Sequence, residues 1–220
     1  MRSVSTSIEI LLLRHGPTSW SDQHRRQGWT DQPLTPAGRR AAQAWADRAP
    51  AEFGAVVSSD LQRARETARL IAVRLALGAV EELAGLREQD QGAWTGLTKD
   101  EVKREWPQRF RERPRRPVGG ESPETVLRRV MAALAAVAAS HGGDPVLAVT
   151  HSEVIRTLER AIEADAPPVP HLEGRWLTIA TTRGPDGEPA VSSVRAGALT
   201  AGRPPVAGGV SATSWAAEGW

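Results

Sequence analysis

Two apolar runs end at histidine: Ile10-Leu11-Leu12-Leu13-Arg14-His15-Gly16 and Pro145-Val146-Leu147-Ala148-Val149-Thr150-His151. Short apolar runs bounded by turn residues read as strands buried on both faces, the pattern of a parallel sheet covered by helices. In an open parallel sheet such strands end on one edge, where ligands bind. The two imidazoles are therefore expected at one site.

The intervening pattern alternates β and α elements, which indicates a layered α/β fold. A polar, turn-rich loop spans 16–36, and Thr35-Pro36 reads as a cap followed by proline at the first helical position of a helix running through Trp45. A strand is expected over 55–58. The helix after it places Leu61, Ala64, Ala68, Ile71 and Leu75 on one face, with a serine or aspartate of Ser58-Ser59-Asp60 as its cap. A short strand follows near 80–83. The charged stretch 97–120 holds Arg109, Arg111, Arg113, Arg115 and Arg116, and its prolines forbid one continuous helix, so a helix-then-loop insertion over the sheet edge is expected. A long alanine-rich helix starts at Pro123 and stops at His141, and the helix after His151 turns Val154, Ile155, Leu158 and Ile162 inward. Segments 175–182 and 188–194 flank Gly184-Pro185-Asp186-Gly187 and read as a hairpin. The expected architecture is a three-layer sandwich: a mostly parallel central sheet flanked by helices, with a helical insertion over the site and a C-terminal hairpin.

A chain of 220 residues suits one such domain, expected over 1–195, with the Gly-, Ala-, Pro- and Ser-rich stretch 196–220 as a flexible tail. There is no cysteine, which excludes disulfides, thiolate metal sites and cysteine nucleophiles and agrees with a cytoplasmic location. The first apolar run is short and interrupted by Glu9, so neither a signal peptide nor a membrane span is expected. Net charge is only +2, and Lys99 and Lys103 are the only lysines among 28 basic residues. Arginine suits bidentate phosphate recognition, yet position rather than content must decide its use.

Four places carry chemistry. In Arg14-His15-Gly16 a strand-end imidazole has a guanidinium beside it and a glycine that lets backbone approach; neighbouring cations should keep His15 neutral and nucleophilic. In Ser58-Ser59-Asp60-Leu61-Gln62-Arg63, Arg63 stands in the first helical turn, where a cation opposes the helix dipole unless it and the amides share an anion. In His151-Ser152 a histidine meets a helix amino terminus at the same edge. In Glu88-Gln89-Asp90, spacing alone leaves Glu88 and Asp90 both eligible to give a proton to a leaving oxygen and later take one from water. His24, His141 and His171 read as loop or surface residues.

Together these residues resemble the histidine phosphatase superfamily, in its phosphoglycerate-mutase-like branch. The resemblance runs from about residue 8 to 160 through Leu-Leu-Leu-Arg14-His15-Gly16-Pro-Thr18, Arg25-Arg-Gln27-Gly28-Trp-Thr-Asp31-Gln-Pro-Leu34-Thr35-Pro-Ala-Gly38, the Ser58 to Ala68 segment, the Glu88 segment, Gly119-Gly-Glu121-Ser122 and Val-Thr-His151-Ser-Glu-Val-Ile-Arg156. It implies that His15 becomes phosphohistidine, that Arg14, Arg63 and His151 complete the phosphate pocket, and that Glu88 rather than Asp90 gives the proton. It places Arg25, Thr18 and the amide near Gly28 at the pocket mouth, and carries over only the backbone amide of Ser152. No metal or organic cofactor is implied. Pro17, Ser21 and Ser152 depart from the family's usual glutamate, asparagine and glycine.

The expected function is metal-independent hydrolysis of a small phosphorylated metabolite, with a second copy of the chain as an open option for a partner and no nucleic acid or membrane. A mutase of the phosphoglycerate type is the first alternative, disfavoured by the short segment between Glu88 and His151. A phospho-ligand binding module would be expected to lose His15 or Glu88. A nucleic-acid binder would interleave aromatics with base, whereas Trp106 and Phe110 stand among acids. The 97–120 insertion is expected to form the wall that selects the non-phosphate part of the substrate, its arginines suiting a second anionic group.

Overall fold

The computed structural model describes residues 6–112, 114–162, 168–183, 189–199 and 213–214. In chain order the elements are β1 (Thr6–Arg14), α1 (Ser19–Asp22), α2 (Pro36–Ala46), β2 (Ala55–Ser58), α3 (Gln62–Arg74) and β3 (Glu81–Glu82). There follow α4 (Lys99–Glu105), α5 (Pro107–Arg111), α6 (Pro123–Ser140), β4 (Val146–Thr150), α7 (Ser152–Ile162), β5 (Gly174–Arg183), β6 (Pro189–Leu199) and β7 (Thr213–Ser214).

All described strands form one sheet in the order β3-β2-β4-β1-β5-β6-β7. The β3-β2-β4-β1 half is parallel, as the apolar runs predict. Beyond β1 the hairpin strands β5 and β6 join the same sheet antiparallel, so the parallel character stops at β1. Period-two alternation along β1 splits the core. Ile8, Ile10 and Leu12 pack with residues of α6 and α7 such as Val130, Leu134 and Ile155. Leu11 and Leu13 pack on the other face with Ala64, Ala68 and Ile71 of α3. Helices on both faces make three layers.

Several boundaries have local causes. Thr35 caps α2 by accepting the Gly38 N–H at 2.9 Å, ahead of Pro36. The expected Ser or Asp cap of α3 is not formed: the Ncap position is Leu61, with no side-chain cap of its own. Arg87 binds the Asp60 carboxylate in a fork, and Asp31 from another loop accepts the Gln62 N–H at 2.9 Å instead. In the insertion the helix-then-loop expectation becomes two short helices. Pro107 opens α5 and pushes Trp106 off helical geometry. Trp94, Val102 and Phe110 give this lobe its own small core.

β6 continues to Leu199 and pairs with Thr213–Ser214, so sheet pairing extends past the tail boundary expected at 196. The expected hairpin turn and the rest of the tail lie outside the described residues. No helix among the described residues is long and apolar enough to cross a membrane.

Candidate active site

β1 and β4 run in register with Arg14 beside Thr150. One further ladder bond, from the His15 N–H to the Thr150 carbonyl at 2.9 Å, carries the pairing past the strand end. His15 and His151 therefore meet at the sheet edge with ring centroids 5.2 Å apart. Both are buried.

The tautomer of His15 follows from its contacts. Its Nδ1 lies 2.7 Å from the Gly16 carbonyl, which can only accept, so Nδ1 carries the proton and Nε2 keeps a lone pair. Arg63 donates its Nε–H to that lone pair at 3.2 Å. Burial first, then the charges of Arg63, His151 and Arg14, hold the His15 pKa well below its ordinary 6.5. The ring is a neutral base at physiological pH.

Arg63 is wholly buried, and its other donors reach the Thr30 and Gly28 carbonyls at 3.0 and 2.8 Å. Gly28 has a left-handed φ of 49°, and a Cβ there would stand 3.0 Å from the Gln91 amide nitrogen. Burial lowers the Arg63 pKa to about 10, which still leaves a cation at neutral pH. Neither ring nitrogen of buried His151 has a hydrogen-bond partner. At least one carries a proton, and an unpaired buried donor costs about 1–3 kcal/mol. A ligand oxygen would satisfy it.

His171, read from the sequence as a loop residue, packs against the nucleophile candidate. Its Nδ1 lies 2.8 Å from the His15 carbonyl and so donates, leaving Nε2 to accept from Arg14 Nη2 at 3.1 Å. Arg14 also donates to the Val169 carbonyl at 2.6 Å. Burial and the Arg14 charge push the His171 pKa down to about 4, consistent with a neutral ring beside a guanidinium.

Glu88 stands across the same space. Its backbone carbonyl accepts from Trp29 Nε1 at 2.7 Å and Arg129 Nη2 at 2.9 Å, and its carboxylate accepts the Gln89 N–H at 2.9 Å. Loss of water around the carboxyl and the nearby Glu153 carboxylate raise its pKa, opposed by Arg63. A neutral imidazole and a carboxyl whose pKa is raised thus share one site.

Arg14, His15, Arg25, Gly28, Arg63, Glu88 and Ser152 contribute to the lining of a cavity of about 290 Å³; His151 and His171, though packed on His15, do not. Thr18 does not: it is fully buried, and its hydroxyl caps α1 by accepting the Ser21 N–H at 3.1 Å. Ser21 lines the cavity, but its hydroxyl is engaged by the Thr18 N–H and carbonyl. Arg25 ties the mouth to the insertion through the Gly96 carbonyl and Glu101. The sequence reading missed His24, Arg26, Gln27, Gln91, Lys99 and Glu153, which also line the cavity. Arg26, Gln27 and Glu153 stand inside motifs already quoted, so adjacency was the available signal; His24 and Lys99 gave none. A larger groove of about 920 Å³ between α2 and α3 reaches none of these residues. Among the described residues no cluster of three or more His, Cys, Asp or Glu could hold a metal ion.

Over 164 residues the chain is 38% identical to phosphoglycerate mutase-like protein 4 of Arabidopsis thaliana, covering 70% of each. It is 36% identical over 162 residues to the metal-independent phosphoserine phosphatase of the same plant, covering 70% of this chain and 68% of that one. Among solved structures, the mycobacterial glucosyl-3-phosphoglycerate phosphatase superposes with a TM-score of 0.68 at 28% identity, over 80% of this chain and 91% of that chain. The profile of the histidine phosphatase superfamily (branch 1) matches residues 10–191, and the chain belongs to that family.

Proposed function

We propose that the protein is a phosphomonoesterase that hydrolyses a small phosphorylated metabolite through phosphohistidine on His15, without a metal. The observation that carries this reading is the fixed tautomer of His15, whose Nε2 lone pair faces buried guanidinium and imidazole donors. In the first step Nε2 attacks phosphorus and the P–O ester bond breaks, while the leaving oxygen takes the Glu88 proton. An equatorial phosphate oxygen accepts the Arg63 N–H that Nε2 releases, and Arg14 and His151 stabilise the charge on the others. In the second step the Glu88 carboxylate takes a proton from water, whose oxygen attacks phosphorus. The N–P bond breaks, leaving inorganic phosphate, neutral His15 and protonated Glu88.

Ser152 opens α7 and Gly28 lines the cavity, which supports their backbones as further phosphate contacts, with Arg25 at the mouth. Thr18 supports the site by holding α1. Release of nitrophenol and phosphate from p-nitrophenyl phosphate in excess chelator is the expected result, with His15→Ala lowering kcat by at least about 10³-fold. Activity that survives that substitution, or vanishes with chelator, contradicts the assignment.

A further inference from the structure

Segment 168–173, between α7 and β5, makes five hydrogen bonds with Arg14 and His15. The Leu172 N–H donates to the Arg14 carbonyl at 3.0 Å, and the Arg14 N–H donates to the Glu173 carbonyl at 2.9 Å. The Arg14 guanidinium donates through Nη1 to the Val169 carbonyl at 2.6 Å and through Nη2 to His171 Nε2 at 3.1 Å, while His171 Nδ1 donates to the His15 carbonyl at 2.8 Å. Leu172 holds a left-handed φ of 58°, which a leucine keeps only where its surroundings over-determine it. Pro168 and Pro170 fix φ on either side of Val169. The turn thus brings His171 onto Arg14 at the cost of an unfavourable backbone.

The two anchors of the guanidinium are both neutral, a carbonyl oxygen and an imidazole lone pair. Arg14 pairs with no carboxylate among the described residues; Glu88 and Glu153 act on it only through space. Burial, then the Arg14 charge, push the His171 pKa down to about 4, so the acceptor stays neutral. A carboxylate in that place would hold the arginine and also cancel the charge that a phosphate needs. Arg14 lines the catalytic cavity, and its Nε, shielded from water, has no hydrogen-bond partner. His171 does not line the cavity, so it acts on a ligand through Arg14.

We infer that His171 is a positioning residue, which orients Arg14 without neutralising it and leaves the Nε–H of the guanidinium to meet the phosphate at His15. The inference rests on the phosphatase reading and extends its machinery to a residue behind the cavity wall.

Three substitutions at this position separate orientation, charge and folding. His171→Gln keeps a neutral acceptor near the place of Nε2, His171→Glu offers a charged one of the same shape, and His171→Phe offers none. With p-nitrophenyl phosphate, kcat/KM should stay within about threefold of wild type in His171→Gln and fall at least about tenfold in both His171→Phe and His171→Glu. The inhibition constant for inorganic phosphate should rise in the same two variants. In an Arg14→Ala background, His171→Phe should cost less than about twofold, because the group it positions is gone. Wild-type kcat/KM in His171→Phe, equal values in His171→Gln and His171→Glu, or a His171→Phe loss undiminished in the Arg14→Ala background overturns the positioning role while leaving the phosphatase intact. No phosphate release by the wild-type protein removes the phosphatase reading and the role of His171 with it.

Discussion

At the residue scale the site holds two groups whose pKa values burial moves away from those in water, His15 downward and Glu88 upward. His15 is kept neutral and Glu88 is kept protonated longer than an ordinary carboxyl. Activity should therefore fall as pH rises through the Glu88 pKa, because the deprotonated carboxylate has no proton for the leaving oxygen. Glu153 is a cause of that elevation. Its replacement in Glu153→Gln removes a neighbouring negative charge, lowers the Glu88 pKa and should shift the basic limb of the kcat/KM profile to lower pH. A basic limb that stays in place would show that another group controls it. His15, Arg14, Arg63, His151 and Glu88 were legible because each stands beside a strand end, a helix start or a glycine-rich turn. His171 was not, since its partners Arg14 and His15 lie more than 150 residues away and nothing local distinguishes it from a surface histidine. Thr18 marks the converse limit: a residue inside a recognised motif whose hydroxyl serves the backbone.

At the element scale α6 does more than cover the sheet. Its Arg129 donates to the carbonyls of Gly85, Arg87 and Glu88 and grips Glu121 with two nitrogens. Glu121 in turn accepts the Asp90 N–H at 2.9 Å, so one side chain fixes the backbone on both sides of Glu88. Arg129→Ala should loosen Glu88, the proposed proton donor, and lower kcat by about 10- to 100-fold, an effect of order 1.4–2.8 kcal/mol. The loss should be larger for an alkyl phosphate, whose leaving oxygen needs the proton, than for p-nitrophenyl phosphate, whose leaving oxygen does not. Equal losses for both esters would mean that Arg129 supports the fold alone. Period and turn residues located α2, β2 and α6 well, because their caps and apolar faces are local. The start of α3 was misread because its first amide is capped by Asp31 from a distant loop and Asp60 is drawn away by Arg87. Caps supplied across the fold leave no pattern in the helix itself.

For the molecule as a whole, one sheet edge gathers charge that folding must bury. His15, His151 and His171 all have folded-state pKa values below the ordinary 6.5, so the unfolded chain binds protons more readily. Their contribution to stability is complete above pH 6.5 and is lost as pH falls through that value toward the folded pKa values, about 4 for His171. Glu88 acts in the opposite sense, destabilising at neutral pH and less so once protonated. Denaturant midpoints should therefore begin to fall below about pH 6.5, and His171→Asn, which keeps a donor and an acceptor without a titrating ring, should flatten that decline. An unchanged slope would show that His171 does not titrate on unfolding. The layered α/β class and the meeting of the two histidines were legible from two apolar runs. The antiparallel half was only partly so, because a hairpin pattern does not reveal which sheet it joins. β1 and β4 converge to set His15 and His151 side by side, and the proposed chemistry rests on that meeting. Rapid acid-free quenching during turnover, followed by peptide mass spectrometry, should find a phosphoryl group on His15 and none in His15→Ala. Turnover with that group on another residue, or with no phosphoprotein formed, would contradict the role given to the β1 histidine.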